Sequence, residues 1–180
     1  MLCLVGMVSF LLPFGVSAGL EGEVEIIGNS DLTEQIGTAR DNHQHRYEYQ
    51  FTSGSATSSA QVDGIYRAIR TLSTGASEGL DLSGTLENPL GSVITFSRIR
   101  SMIIENQGTT TITIGSAPAN PWYAWSGNAS STIAIPASSA VCFSSPYGTY
   151  TVTAGTADIL QITNSAGGTG TYKIWILGND

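Results

Sequence analysis

Val93–Glu105 (VITFSRIRSMIIE) is an unusually long run of strand-forming residues. Aromatic and β-branched side chains suit a pleated, half-buried surface, so the run reads as strand. Strand side chains alternate between faces. If the run stays straight, Arg98, Arg100, Met102 and Ile104 share one face. Two guanidinium groups followed by two apolar side chains cannot all face the same core. Either a bulge re-aims the strand so that it serves both sheets, or part of it lies in a subunit contact.

Short runs of the same kind recur on both sides of it. They lie at Ile65–Leu72, Gly79–Leu82, Thr109–Ile114, Thr132–Ile135, Ala140–Ser144, Tyr150–Thr153, Ile159–Thr163 and Tyr172–Leu177, most of them separated by Gly, Asn, Pro or Ser clusters. This spacing predicts an all-β chain: an antiparallel β-sandwich or jelly roll of about eight strands, with an N-terminal extension. Ile65–Ile69 also fits a helical turn. Thr52–Gln61 (TSGSATSSAQ) is polar and lacks an apolar anchor, so residues 1–60 read as an arm and transition segment and residues 61–180 as the β domain.

Within the transition segment, Glu21, Glu23 and Glu25 alternate with Gly22, Val24 and Ile26, a short strand with one wet face. Asp31 and Glu34 have helix-cap spacing, and Gly37 limits that helix to a turn or two. Arg46–Phe51 (RYEYQF) places Tyr47, Tyr49 and Phe51 on one strand face.

The opening, MLCLVGMVSFLLPFGVSAGL (residues 1–20), has no charge before Glu21. Its apolar stretch and small-residue end fit a secretion signal. The basic start of such a signal is missing, and Pro13 and three glycines, Gly6, Gly15 and Gly19, interrupt the run. The other reading is an apolar arm that a partner must cover. Its candidate contact residues are Leu4, Val5, Phe10, Leu11, Leu12 and Phe14.

Charged residues make up only 12% of the chain, and the net charge of −7 is uneven. Residues 1–50 hold seven acids and two arginines, and the remainder seven acids and five bases. No basic patch is present to meet a phosphate backbone, so nucleic acid is not an expected partner. Beyond the opening, no apolar run is long enough to span a bilayer. Cys3 and Cys142 are the only cysteines, so a disulfide framework is not the stabilising device.

Asp41, His43 and His45 would share a side of a strand, the pattern of a metal edge. The chain has no third histidine and neither cysteine is near, so no metal or cofactor is expected. No nucleophile–base set and no phosphate loop is visible, and no enzymatic activity is expected. Asn120–Ser130 (NPWYAWSGNAS) gathers Trp122, Tyr123 and Trp125 in one loop. Such rings fold back over a sandwich end, anchor a protein partner or stack on a sugar.

Ile94–Gly115 (ITFSRIRSMIIENQGTTTITIG) and Val152–Gly178 (VTAGTADILQITNSAGGTGTYKIWILG), taken together, resemble small β-sandwich proteins encoded among the structural genes of tailed bacteriophages. The match rests on Asn106, on Asp158–Asn164 and on the closing aromatic/aliphatic strand, and it covers about Val62–Gly178. The resemblance implies a virion component such as a capsid decoration (cement) protein. It carries no catalytic residues. It implies synthesis in the bacterial cytoplasm, where the opening segment reads as an arm rather than a signal. It further implies a trimer on the capsid surface beside the major capsid protein; a homo-oligomer is expected in its own right, because a lone sandwich has edge strands and this body has few charges to blunt them. Arg98 and Arg100 are candidates for polar contacts at the subunit boundary, and Trp122, Tyr123 and Trp125 for an anchor. The competing expectations are a tail or fibre-associated component and a secreted carbohydrate-binding module.

Overall fold

The computed structural model describes the backbone of residues 2–5, 22–32, 41–54, 60–148 and 150–179, with side chains at 51, 52 and 54 and through 60–148 and 150–179. Among these residues the chain is all-β. Its strands are β1 (Leu2–Val5), β2 (Gly22–Leu32), β3 (Asp41–Ser53), β4 (Gln61–Val62), β5 (Gly64–Leu72), β6 (Ser77–Asp81), β7 (Leu86–Glu87), β8 (Val93–Ile94), β9 (Arg98–Asn106), β10 (Ile112–Gly115), β11 (Thr132–Ile135), β12 (Ala140–Ser144), β13 (Tyr150–Thr151), β14 (Ile159–Asn164) and β15 (Gly170–Asn179).

Two sheets make the body. One is four-stranded in the order β11-β10-β14-β6; the other is five-stranded, β12-β9-β15-β5, with β13 also pairing β9. Four antiparallel pairs nest inside one another along the chain: β5 with β15, β6 with β14, β9 with β12, and β10 with β11. The ribbon is closed into sheets by β15–β9 and β14–β10. Nested pairs split alternately between two sheets are the jelly-roll arrangement. β7 and β8 form a separate two-stranded hairpin, and β1, β2, β3 and β4 form an N-terminal sheet.

Alternation along the strands explains the core. Tyr66 on β5, Met102 and Ile104 on β9, and Tyr172, Ile174 and Ile176 on β15 point inward from the larger sheet. Leu80, Ile112, Ile114, Ile135, Leu160 and Ile162 meet them from the smaller one. All are essentially inaccessible, and each such aliphatic side chain contributes about 1.5–3 kcal/mol by leaving water. Ile65–Ile69 lies within β5, so the helical-turn reading is corrected: Tyr66, Ala68 and Leu72 pack inward at even spacing, and the two-residue period wins. Asp31 and Leu32 are the last residues of β2, and the rest of the expected helix cap lies outside the described residues.

The run 93–105 is not one strand. Val93–Ile94 turns aside to pair with β7, and Phe96 drops into the core at 1% exposure. β9 then starts at Arg98 and carries a bulge. Leu177 pairs with Ser101 and Gly178 with Ile99, which leaves Arg100 without an opposite residue on β15. The extra residue shifts the alternation, so Ile99 and Met102, three apart, both reach the core. A Cβ at Gly178 would run into the Arg98 carbonyl, so the close approach at the bulge requires glycine.

Buried polar side chains staple the loops. Asn106 donates through Nδ2 to the carbonyls of Thr110 (2.7 Å) and Ile135 (2.9 Å), and its Oδ1 accepts from Gly108 N (3.0 Å). Asn164 ends the inward row of β14 and holds three further segments. At the edge of the core, Tyr172 donates its hydroxyl to Glu78 (2.8 Å), and Arg70 closes on the same carboxylate at 2.7 and 2.6 Å. Burial, and then the bond to Glu78, push the Tyr172 phenol well above its ordinary value. The unfolded phenol ionises first, so this contribution is complete below about pH 10 and falls as the pH rises past it. Tyr172→Phe is expected to flatten that alkaline loss in urea titrations run at several pH values; an unchanged alkaline slope would contradict it.

Candidate interaction surface

The outer face of the five-stranded sheet carries several aliphatic and aromatic residues among its polar ones. Register places Cys142, Ile103, Trp175 and Arg67 in one row across it, and Ser144, Ser101, Leu177 and Ile65 in the next. A third row holds Ala140, Glu105, Lys173 and Ile69. Ile69 is 65% exposed, and Lys173 lays its Nζ 4.0 Å above the Trp175 ring. Ile103, by contrast, is buried between its neighbours. Ile103, Trp175, Leu177, Ile65 and Ile69 form an aliphatic and aromatic strip on this face, flanked by Arg67, Glu105 and Lys173.

Part of this face is already covered from within the chain. Phe51 and Val62 are buried together against Ala60, Cys142 and Leu177. The end of β3 pairs in parallel with β4, Thr52 opposite Gln61 and Ser53 opposite Val62. Asn179 fixes the junction: its Nδ2 donates to the carbonyls of Gly54 (3.1 Å) and Gln61 (3.0 Å).

The N-terminal sheet continues from this seat. Its register sets Phe51 opposite Gly22, Tyr49 opposite Val24 and Tyr47 opposite Ile26, with Val5 and Cys3 next to Val24 and Ile26. Two-residue spacing puts these positions on the same sheet face as Phe51. In sequence these positions are Gly22 and otherwise apolar or aromatic residues.

The residues singled out from sequence fall in different places. Leu4 and Val5 lie in β1; Phe10, Leu11, Leu12 and Phe14 lie outside the described residues. Asp41, His43 and His45 are in β3. Arg98 is half-buried at the start of β9. Arg100 is fully buried, donating through Nε to Asn179 Oδ1 (2.8 Å) and through Nη1 to the Pro146 carbonyl (3.1 Å). Its expected role as a polar contact at a subunit boundary is corrected: the guanidinium is buried and spent within the chain, on Asn179 and the Pro146 carbonyl.

Trp122 is corrected likewise. At 1% exposure it belongs to the core, edge-on to Tyr150 with centroids 6.4 Å apart, and its Nε1 donates to the Thr151 carbonyl at 2.9 Å. Trp125 is half-buried against Phe143, centroids 5.5 Å apart. Only Tyr123, 37% exposed, presents much of its ring. The loop folds its tryptophans back over the end of the sandwich.

Sequence reasoning missed the outer-face residues Ile65, Ile69 and Trp175. The available signal was that β5 and β15 carry apolar residues on both alternations. It also missed the tip between β7 and β8. There Asn88 Oδ1 accepts from Leu90 N (2.9 Å) and Ser92 N (3.0 Å), a stiff turn that leaves Leu90 91% exposed. Comparison of the chain with family models, curated proteins and solved structures found no match.

Proposed function

We propose that this chain is a non-enzymatic structural protein of a tailed-phage virion, a capsid decoration protein that forms a homotrimer and binds the major capsid protein. The observation that carries the oligomer is the aliphatic and aromatic strip on the outer face of the five-stranded sheet, together with the apolar and aromatic positions of the N-terminal sheet that share a face with Phe51. The occupant we assign to the exposed part, around Ile65, Ile69 and Trp175, is the N-terminal sheet of a second copy. Each copy then offers one strip and one face. A head-to-tail contact of that kind closes into a ring when its rotation allows.

The virion assignment rests on the resemblance over Val62–Gly178. The jelly roll is compatible with it as fold-level analogy, since capsid proteins are one of several classes built on that architecture. The acidic balance suits an outward position better than one against packaged DNA, whose phosphates would repel it. Multiple attachment of a ring to a lattice strengthens weak individual contacts through effective concentration. A sugar-binding platform is less favoured, because Trp122 is core and Tyr123 alone offers an open ring.

Immunogold labelling of purified particles tests the position. Label over the capsid shell is the expected result. Label confined to tails, or particles that lack the protein, would overturn the assignment.

A further inference from the structure

We propose that Asp81 and Asp158 hold a hard cation, calcium by its chemistry, where β6 leaves the four-stranded sheet and β14 enters it. This site is separate from the interaction surface and does not depend on the virion reading.

Asp158 is 4% exposed. Its Oδ2 accepts from Ser83 Oγ at 2.9 Å and from the Gly155 amide. Its Oδ1 is buried and has no donor from the protein. Asp81 reaches the same serine from the other side: its Oδ1 accepts from Ser83 N at 3.0 Å and lies 3.2 Å from Ser83 Oγ. A serine hydroxyl carries a single hydrogen, so it can satisfy only one of the two carboxylates. Two carboxylates thus converge on one proton. Among the described residues the ion pair formed is Arg70 with Glu78, and no lysine or arginine pairs with either aspartate.

A desolvated carboxylate oxygen beside a second negative charge is costly without compensation. A water molecule would satisfy Oδ1 but leave both charges in place. A cation answers both needs. The donors are carboxylate and hydroxyl oxygens, which suit calcium rather than a thiolate- or imidazole-seeking metal. Calcium also tolerates irregular geometry and completes its shell with water, which the half-exposed Asp81 side admits.

The two aspartates are held by backbone that is itself fixed. Leu82 N donates to the Asp158 carbonyl at 2.8 Å, and Asp158 N donates to the Asn120 carbonyl at 3.1 Å. The turn before Asp158 is closed by Ala157 N on the Thr153 carbonyl at 2.8 Å. A cation here would tie the turn after β6 to the turn before β14. The Trp122 backbone amide donates to the Ile159 carbonyl at 2.8 Å, which places an indole-bearing residue next to the site.

The test uses the full chain, stripped with chelator and then titrated with calcium or terbium. Calcium at millimolar concentration is expected to raise the melting temperature, as any ligand of the folded state does. Terbium emission excited through tryptophan is expected, and calcium should displace it. Asp158→Asn should lose both responses. Asp81→Asn, at a half-exposed position, serves if the first variant does not fold. No calcium-dependent shift together with no sensitised emission would overturn the proposal. So would equal responses in wild type and Asp81→Asn.

Discussion

Replacing Asn164 by alanine is expected to lower the unfolding free energy by about 3 kcal/mol and the melting temperature by about 10 °C. The side chain is fully buried. Its Oδ1 accepts from Thr110 Oγ1 at 2.6 Å, and its Nδ2 faces the carbonyls of Leu72 (3.2 Å), Ser73 (3.0 Å) and Gly168 (2.8 Å). One amide thus joins the ends of β5 and β14 to the loops before β10 and β15. Truncation leaves a hydroxyl and at least two carbonyls without partners in a dry environment, each costing about 1–3 kcal/mol. Urea or thermal unfolding gives the answer; a loss within about 0.5 kcal/mol, the range of an ordinary surface change, would contradict the role.

The second large effect separates two arginines that look alike in the sequence. Arg100→Ala is expected to destabilise the chain by about 3 kcal/mol or more, from lost packing volume and two orphaned acceptors. Those acceptors are Asn179 Oδ1 and the Pro146 carbonyl. Loss of the first also loosens Asn179, which holds Gly54 and Gln61 at the N-terminal junction. Burial, and then the neighbouring charge of Arg98, pull the Arg100 pKa below the ordinary guanidinium value. Arg98→Ala, at a half-buried position, is expected to stay within about 0.5 kcal/mol. Equal losses in parallel denaturation curves would mean that the bulge does not distinguish the two side chains.

The difference between these arginines shows where the sequence was readable. Strand positions came through where alternation was clean: Thr132–Ile135 and Ala140–Ser144 are strands over those same residues, and Ile159–Thr163 misses only Asn164. A bulge in the run 93–105 was one of two readings the sequence offered, because alternation there contradicted a single core, and the register shift on β15 bears it out. Its location was not. Arg100 looks like a surface residue until Gly178, 78 positions later, is known to sit opposite Ile99 and leave Arg100 over.

Long-range pairing hides other features for the same reason. Trp122 in a Pro- and Gly-flanked loop reads equally as anchor or as plug, and only the approach of Tyr150 and Thr151 decides for the plug. The short strands β7 and β8 carry too few residues to show a period. The apolar residues of β15 that face outward, Trp175 and Leu177, looked like ordinary strand residues. Their consequence appears only when β5 and β9 line up beside them.

Sedimentation equilibrium of the full chain, run alongside Ile69→Asp, measures the proposed trimer as a solution mass. The substitution places a charge at an outer-face position that is 65% exposed and bears on no core residue, so the fold should survive it. The expected result is the mass of three chains for the wild type and of one for the variant, with unchanged β-sheet circular dichroism. A wild-type protein that remains monomeric across the concentration range, or a variant that assembles as well as the wild type, would contradict it.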